Sequence, residues 1–122
     1  MAAGKLETDI TAFGVSALLA VNTYMDASFA TVTSQDPAVA GVPNGVLLDN
    51  VTGSFTATGG NLFNPQTADG TSLRIQGGSV DVTYGGAVRN LQPEGWAVQV
   101  GGRTGGSIIL SGYVEDSGRG IQ

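Results

Sequence analysis

Apolar residues alternate with small polar ones along most of the chain, and helical spacing is nearly absent. Across residues 11–23, Phe13, Val15, Ala17, Leu19 and Val21 fall on one side. Ala12, Ser16, Leu18, Ala20 and Asn22 fall on the other, which predicts one long strand with a strongly apolar face. A short helix over residues 17–20 is the competing reading. Residues 29–33 read as a second strand, joined to the first through residues 25–28. Residues 46–58 supply one strand, or two broken at Gly53, with Val51, Phe55 and Ala57 in alternation. Further alternating runs at 73–76, 79–84, 87–91, 96–100 and 107–115 bring the count to about eight short strands. In the run 96–100, Trp96, Val98 and Val100 share a face, and in the last run Ile108, Leu110 and Val114 do.

Glycine punctuates these runs. Gly-Gly pairs begin at 59, 77, 85, 101 and 105. The uneven spacing reads as hairpin punctuation, not as a solenoid repeat. Gly77-Gly78 lies between two alternating runs and predicts a two-residue hairpin, because both turn positions want positive φ. Arg74 and Asp81 would then face each other across it as a surface pair. The pattern as a whole predicts a single all-β domain over residues 1–122, an antiparallel β-sandwich or small barrel with long loops.

Two loops stand out, at 35–45 and 59–71. The first holds two prolines and an Asn-Gly pair yet keeps small apolar side chains. It reads either as an arm that packs Pro37, Val39, Val42 and Pro43 on a neighbouring subunit or as a loop folded back on its own sheet. The tail, residues 117–122, is expected to be mobile unless a partner holds it.

Composition then narrows the chemistry. The 122 residues include no Cys and no His, and Lys5 is the sole lysine. Thiolate nucleophiles, disulfides and Cys-ligated zinc are therefore excluded, and the commonest general base is missing. Serine and threonine are plentiful but have no base to activate them. Only 12% of residues are charged, against about 25% in ordinary soluble domains. The net charge of −5, with Arg74, Arg89, Arg103 and Arg119 scattered, opposes a phosphate backbone and argues against direct nucleic-acid binding. No targeting or membrane-spanning stretch is recognisable, so the chain is expected to be made in a cytoplasm.

Individual candidate sites reduce mostly to structure. Asp69-Gly70 is the best calcium candidate, but it lacks the acidic spacing of a calcium loop and reads as a turn. The acid pairs Glu115/Asp116 and Glu7/Asp9 read as solvated strand ends, and Glu115 and Asp116, as neighbours on a strand, point to opposite faces and cannot pair with each other across a cleft. Tyr84, Trp96 and Tyr113 are the candidates for an aromatic sugar-stacking surface, with Trp96 placed in the core by its alternation. No cofactor and no metal ligand set is expected.

What remains is binding or building, and sparse charge favours building, because little must be desolvated when such a surface meets copies of itself. A short cysteine-free all-β chain starting Met1-Ala2-Ala3-Gly4-Lys5-Leu6, with Gly-Gly turns and an internal arm, resembles the small structural virion proteins of tailed double-stranded DNA bacteriophages. Among these, proteins that decorate or cement the capsid are similar in length. The resemblance implies a non-enzymatic virion component, a trimer or ring of itself seated on a major capsid protein. A tail-tube or other tail subunit is the alternative, and a carbohydrate- or surface-binding β-sandwich is the alternative from another class.

Overall fold

The computed structural model describes residues 8–36 and 44–122. Along these the chain forms eleven strands and no helix: β1 (Asp9–Phe13), β2 (Leu18–Val21), β3 (Tyr24–Gln35), β4 (Asn44–Asp49), β5 (Thr52–Asn64), β6 (Thr71–Gln76), β7 (Asp81–Tyr84), β8 (Ala87–Asn90), β9 (Trp96–Gly101), β10 (Ile108–Leu110) and β11 (Val114–Asp116). Every strand pairing among them is parallel. The antiparallel sandwich or barrel expected from the sequence is therefore wrong. The chain winds instead as a β-solenoid of about three turns.

Each complete course has three faces. The first carries the leading half of β3, the leading half of β5, then β7 and β10. The second stacks β1, the trailing halves of β3 and β5, then β8 and β11. The third is a separate four-stranded sheet in the order β2-β4-β6-β9. Alternation is the same in a parallel course as in a hairpin, so it identified strands without fixing their direction.

The core consists of columns of inward side chains, one residue per course. On the third face Leu18, Val46, Leu73 and Val98 stack in register, and Ala20, Leu48, Ile75 and Val100 form the next column. On the first face Ala27, Phe55, Val82 and Ile108 do the same. Ala12, Ser34, Leu62, Val88 and Val114 line the second. Val46, Leu48, Leu62, Leu73, Ile75, Val82 and Val88 are fully buried. Each such side chain contributes about 1.5–3 kcal/mol, but only because the courses above and below cover it. A single course could not hold its shape.

Three corners join the faces, each occupied by a recurring residue type. Gly60, Gly86 and Gly112 stack at the corner between the first and second faces, where an added Cβ would run into the backbone of the course before. At Gly86 it would lie 2.5 Å from the Gly60 carbonyl oxygen. Asp36, Asn64, Asn90 and Asp116 occupy the corner between the second and third faces. Asn22, Asn50, Gly77 and Gly102 turn the chain from the third face to the first, all left-handed, with φ of 51°, 53°, 61° and 59°.

Several boundaries move accordingly. Gly77-Gly78 is a corner and not a hairpin: the Gly77 amide donates to the Gly101 carbonyl one course on, 2.8 Å away. Arg74 and Asp81 thus lie on different faces; Arg74 donates to Gln76 and Asp81 accepts from Ser107. The expected long strand over 11–23 breaks at Gly14, whose φ of 72° turns the chain. Leu18 and Ala20 then face inward, leaving Phe13, Val15, Leu19 and Val21 exposed. The stretch expected as a loop from 59 begins as the second half of β5, and the break expected at Gly53 falls at Asn50-Val51. The final run divides into β10 and β11 around Gly112.

Candidate functional surfaces

The three aromatic candidates do not share a surface. Tyr84 is fully buried, and its hydroxyl donates to the Val32 carbonyl, two courses away, at 2.8 Å. Burial pushes its pKa above the ordinary tyrosine range. The absent Cβ of Gly60 leaves room for that hydroxyl, which would stand 2.9 Å from one. Trp96 is half-buried at the start of β9 under the Arg119 guanidinium, 5.8 Å from the ring centroid. Arg119 also pairs with Glu94. Tyr113 is 61% exposed on the last course and donates to Glu115 at 3.1 Å; that hydrogen bond raises its pKa. A sugar-stacking platform built from these three residues is therefore absent.

The acids serve the fold. Glu115 meets Arg89 at 3.1 Å, and Arg89 lies over the Phe63 ring at 4.3 Å. Phe13, Gln35, Phe63, Arg89 and Glu115 occupy one register column on the outside of the second face. Asp69-Gly70 closes a turn, with the Gly70 amide donating to the Thr67 carbonyl. Asp9 accepts from Thr31; Glu7 lies outside the described residues. Among the described residues no group of three or more acidic side chains is placed to hold a metal ion. The assembly-arm residues Pro37, Val39, Val42 and Pro43 also lie outside the described residues.

Asp116 has a larger part than its position at a strand end suggested. Asn64 donates its side-chain amide to the Asn90 side-chain oxygen at 2.9 Å, and Asn90 donates to Asp116 at 2.9 Å. Both asparagines are fully buried. Each residue also folds the next few residues around itself: Asn64 accepts from the Thr67 amide, Asn90 from the Gln92 amide and Asp116 from the Gly118 and Gly120 amides. Asp116 further accepts from the Ala97 amide. The tail continues from there, with Gln122 donating to the Val98 carbonyl and accepting from the Val100 amide.

The sequence does carry a signal for this corner. Gly60-x-Leu62-x-Asn64, Gly86-x-Val88-x-Asn90 and Gly112-x-Val114-x-Asp116 repeat every 26 residues. Counting Gly-Gly pairs hid it, because the pairs belong to different corners and Gly112 is single.

Two surface features remain. A shallow groove of about 280 Å³ runs over the outside of the third face, lined by Arg74, Gln76, Gln99 and Gln122 among others. Its polar groups bond one another, Arg74 to Gln76 and Gln99 to Gln122. The second feature is apolar. Apart from Tyr24 and Leu91, every exposed large hydrophobic residue among the described residues belongs to the first or the last course. Phe13, Val15, Leu19 and Val21 are on the first, and Ile109, Tyr113 and Ile121 on the last. Set against known proteins, the chain matches no family model, no curated protein and no solved structure. No helix among the described residues is long and apolar enough to cross a membrane. Fold and surface together define a parallel β-solenoid whose exposed large apolar side chains, among the described residues, gather mainly on its first and last described courses.

Proposed function

We propose that this chain is a non-enzymatic structural module that assembles through the ends of its solenoid. The observation that carries this reading is the placement of exposed apolar side chains on the two end courses, while the central courses present mostly Ser, Thr, Gly, Asn and Gln. Solenoids are soluble as separate bodies when their end repeats are polar caps. Exposed apolar side chains gathered on two courses favour burial against another chain.

The resemblance to virion proteins of tailed bacteriophages gives this role a setting: a component seated on a capsid, as a decoration or cement protein, or within a tail. Its partners would be its own copies and a major capsid or tail protein. Native mass measurement and negative-stain imaging of the purified full chain test the assembly reading, and co-sedimentation with undecorated capsids tests the setting. Stable oligomers that bind capsids are expected. Oligomers that ignore capsids but join tail proteins move the setting to the tail, and a monomer at every concentration overturns the assembly reading.

A further inference from the structure

We infer that residues 117–122 form a strap that opens and closes over β9 while the rest of the solenoid stays folded, with the Asp116 carboxylate as its catch. This stands apart from the assembly reading. β9 pairs with β6 on one side. On the other, the Arg119 amide donates to the Gly95 carbonyl, and Gln122 donates to the Val98 carbonyl and accepts from the Val100 amide. Trp96, half-buried, lies under the Arg119 guanidinium, which pairs with Glu94. Gln122 also walls the groove on the third face and bonds Gln99 there. Opening the strap therefore bares the β9 edge and Trp96 and takes one wall from the groove.

The strap has no apolar anchor. In the two preceding courses the same corner leads into β6 and β9, where Leu73, Ile75, Ala97 and Val98 are buried. Here the one large apolar side chain is Ile121, and it is 64% exposed. The Arg119–Glu94 pair is half-exposed on both sides and adds little. Solvent-exposed hydrogen bonds with little buried apolar area mark segments that open locally, below the cost of global unfolding. Gly120 supplies a pivot, left-handed at φ 90° with open space where a Cβ would stand.

Asp116 divides its two oxygens between body and strap. Oδ1 accepts from the Asn90 side chain at 2.9 Å and the Ala97 amide at 2.8 Å, both in the body. Oδ2 accepts from the Gly118 amide at 2.8 Å and the Gly120 amide at 2.6 Å, both in the strap. Donors thus converge from both sides, and an asparagine here would turn its NH2 on one pair whichever way it faced. The carboxylate satisfies all four, and its charge strengthens each bond.

Trp96 is the chain's single tryptophan, so its fluorescence reports the strap. Acrylamide quenching of Trp96 is followed against urea beside far-ultraviolet circular dichroism in the parent chain. Quenching that rises before the circular dichroism changes is expected. Coincident transitions overturn the inference, because the segment then belongs to one cooperative unit with the body. Asp116→Asn should keep the β circular dichroism of the parent while hydrogen exchange at the Val100 and Gln122 amides speeds up about tenfold or more, as the loss of a charge-assisted hydrogen bond requires. Exchange unchanged from the parent shows that the carboxylate is no catch. Loss of the β circular dichroism in Asp116→Asn is equally fatal, because the carboxylate then holds the body. Arg119→Gln should speed the same amides less than Asp116→Asn does; the reverse order moves the hold to the exposed ion pair and overturns the assignment to Asp116.

Discussion

Two glycine-bearing corners of the solenoid look alike in sequence and are held by different physics. Gly86 and Gly112 have no left-handed φ, yet a Cβ on either would strike the backbone of the preceding course; at Gly112 it would lie 2.6 Å from the Gly86 carbonyl carbon. Gly77 and Gly102 are left-handed but open, and a Cβ at Gly77 would meet nothing nearer than 3.7 Å. The first corner excludes side chains by contact. The second only asks for a residue that tolerates positive φ, so asparagine fills it in the earlier courses, with Asn50 donating to Asn22 at 2.9 Å. A glycine in a solenoid therefore has no single meaning; the course stacked on it decides.

The largest effect expected from breaking this comparison is at Gly86. Gly86→Ala should cost about 3 kcal/mol or more, because the crowding atoms are all backbone of Gly60 and cannot swing aside. A urea midpoint read from circular dichroism checks it, and a midpoint unchanged from the parent would refute the contact argument. Next comes the polar corner. Asn90→Leu should cost about 3 kcal/mol, since it leaves one of the two buried Asn64 amide hydrogens without its acceptor and removes a donor from Asp116.

Tyr84→Phe should cost about 1 kcal/mol for the lost bond to Val32. It also carries a pH signature. The buried hydroxyl keeps its proton in the folded chain above the range where the unfolded chain releases it. The Tyr84 contribution to stability should thus be level below about pH 10 and fall as pH rises past it. That component of the alkaline fall should vanish in Tyr84→Phe, as compared by urea titrations at several pH values. The smallest effect belongs to the open corner: Gly77→Asn should shift stability by no more than about 0.5 kcal/mol, measured in the same way.

The strands were largely legible because side chains alternate about the backbone wherever one side is buried. Val80 and Val82, or Leu73 and Ile75, declare themselves by spacing alone, and all four are fully buried. Direction was not legible, since alternation is blind to whether the next strand returns or advances. Gly77-Gly78 suited a tight reversal equally well, and only the Gly101 carbonyl one course away shows that the chain moves on. The first course misled for a related reason. Its apolar residues at 13, 15, 19 and 21 keep perfect alternation, but Ala12, Leu18 and Ala20 on the other side are apolar too and are the ones that face inward, so the side expected to be buried is the exposed one. Of the candidate site residues, Tyr84 could not be placed from its strand alone, since its hydroxyl partner is 52 positions away.

The Asx corner also has a sense of travel. Asn64 donates to Asn90 and Asn90 donates on to Asp116, whereas the Asp116 carboxylate only receives. Asparagine is thus a through-coupling, whereas aspartate ends the side-chain ladder and not the winding, since β4 and β5 follow Asp36 in the solenoid. A duplicate of residues 65–90 spliced in after Asn90 would find a coupling on both sides and lengthen the rod by about 4.8 Å, one strand spacing. The same cassette placed after Asp116 would meet a group with nothing to pass forward. The reach of the side-chain ladder is written at this corner, in the difference between an amide and an acid.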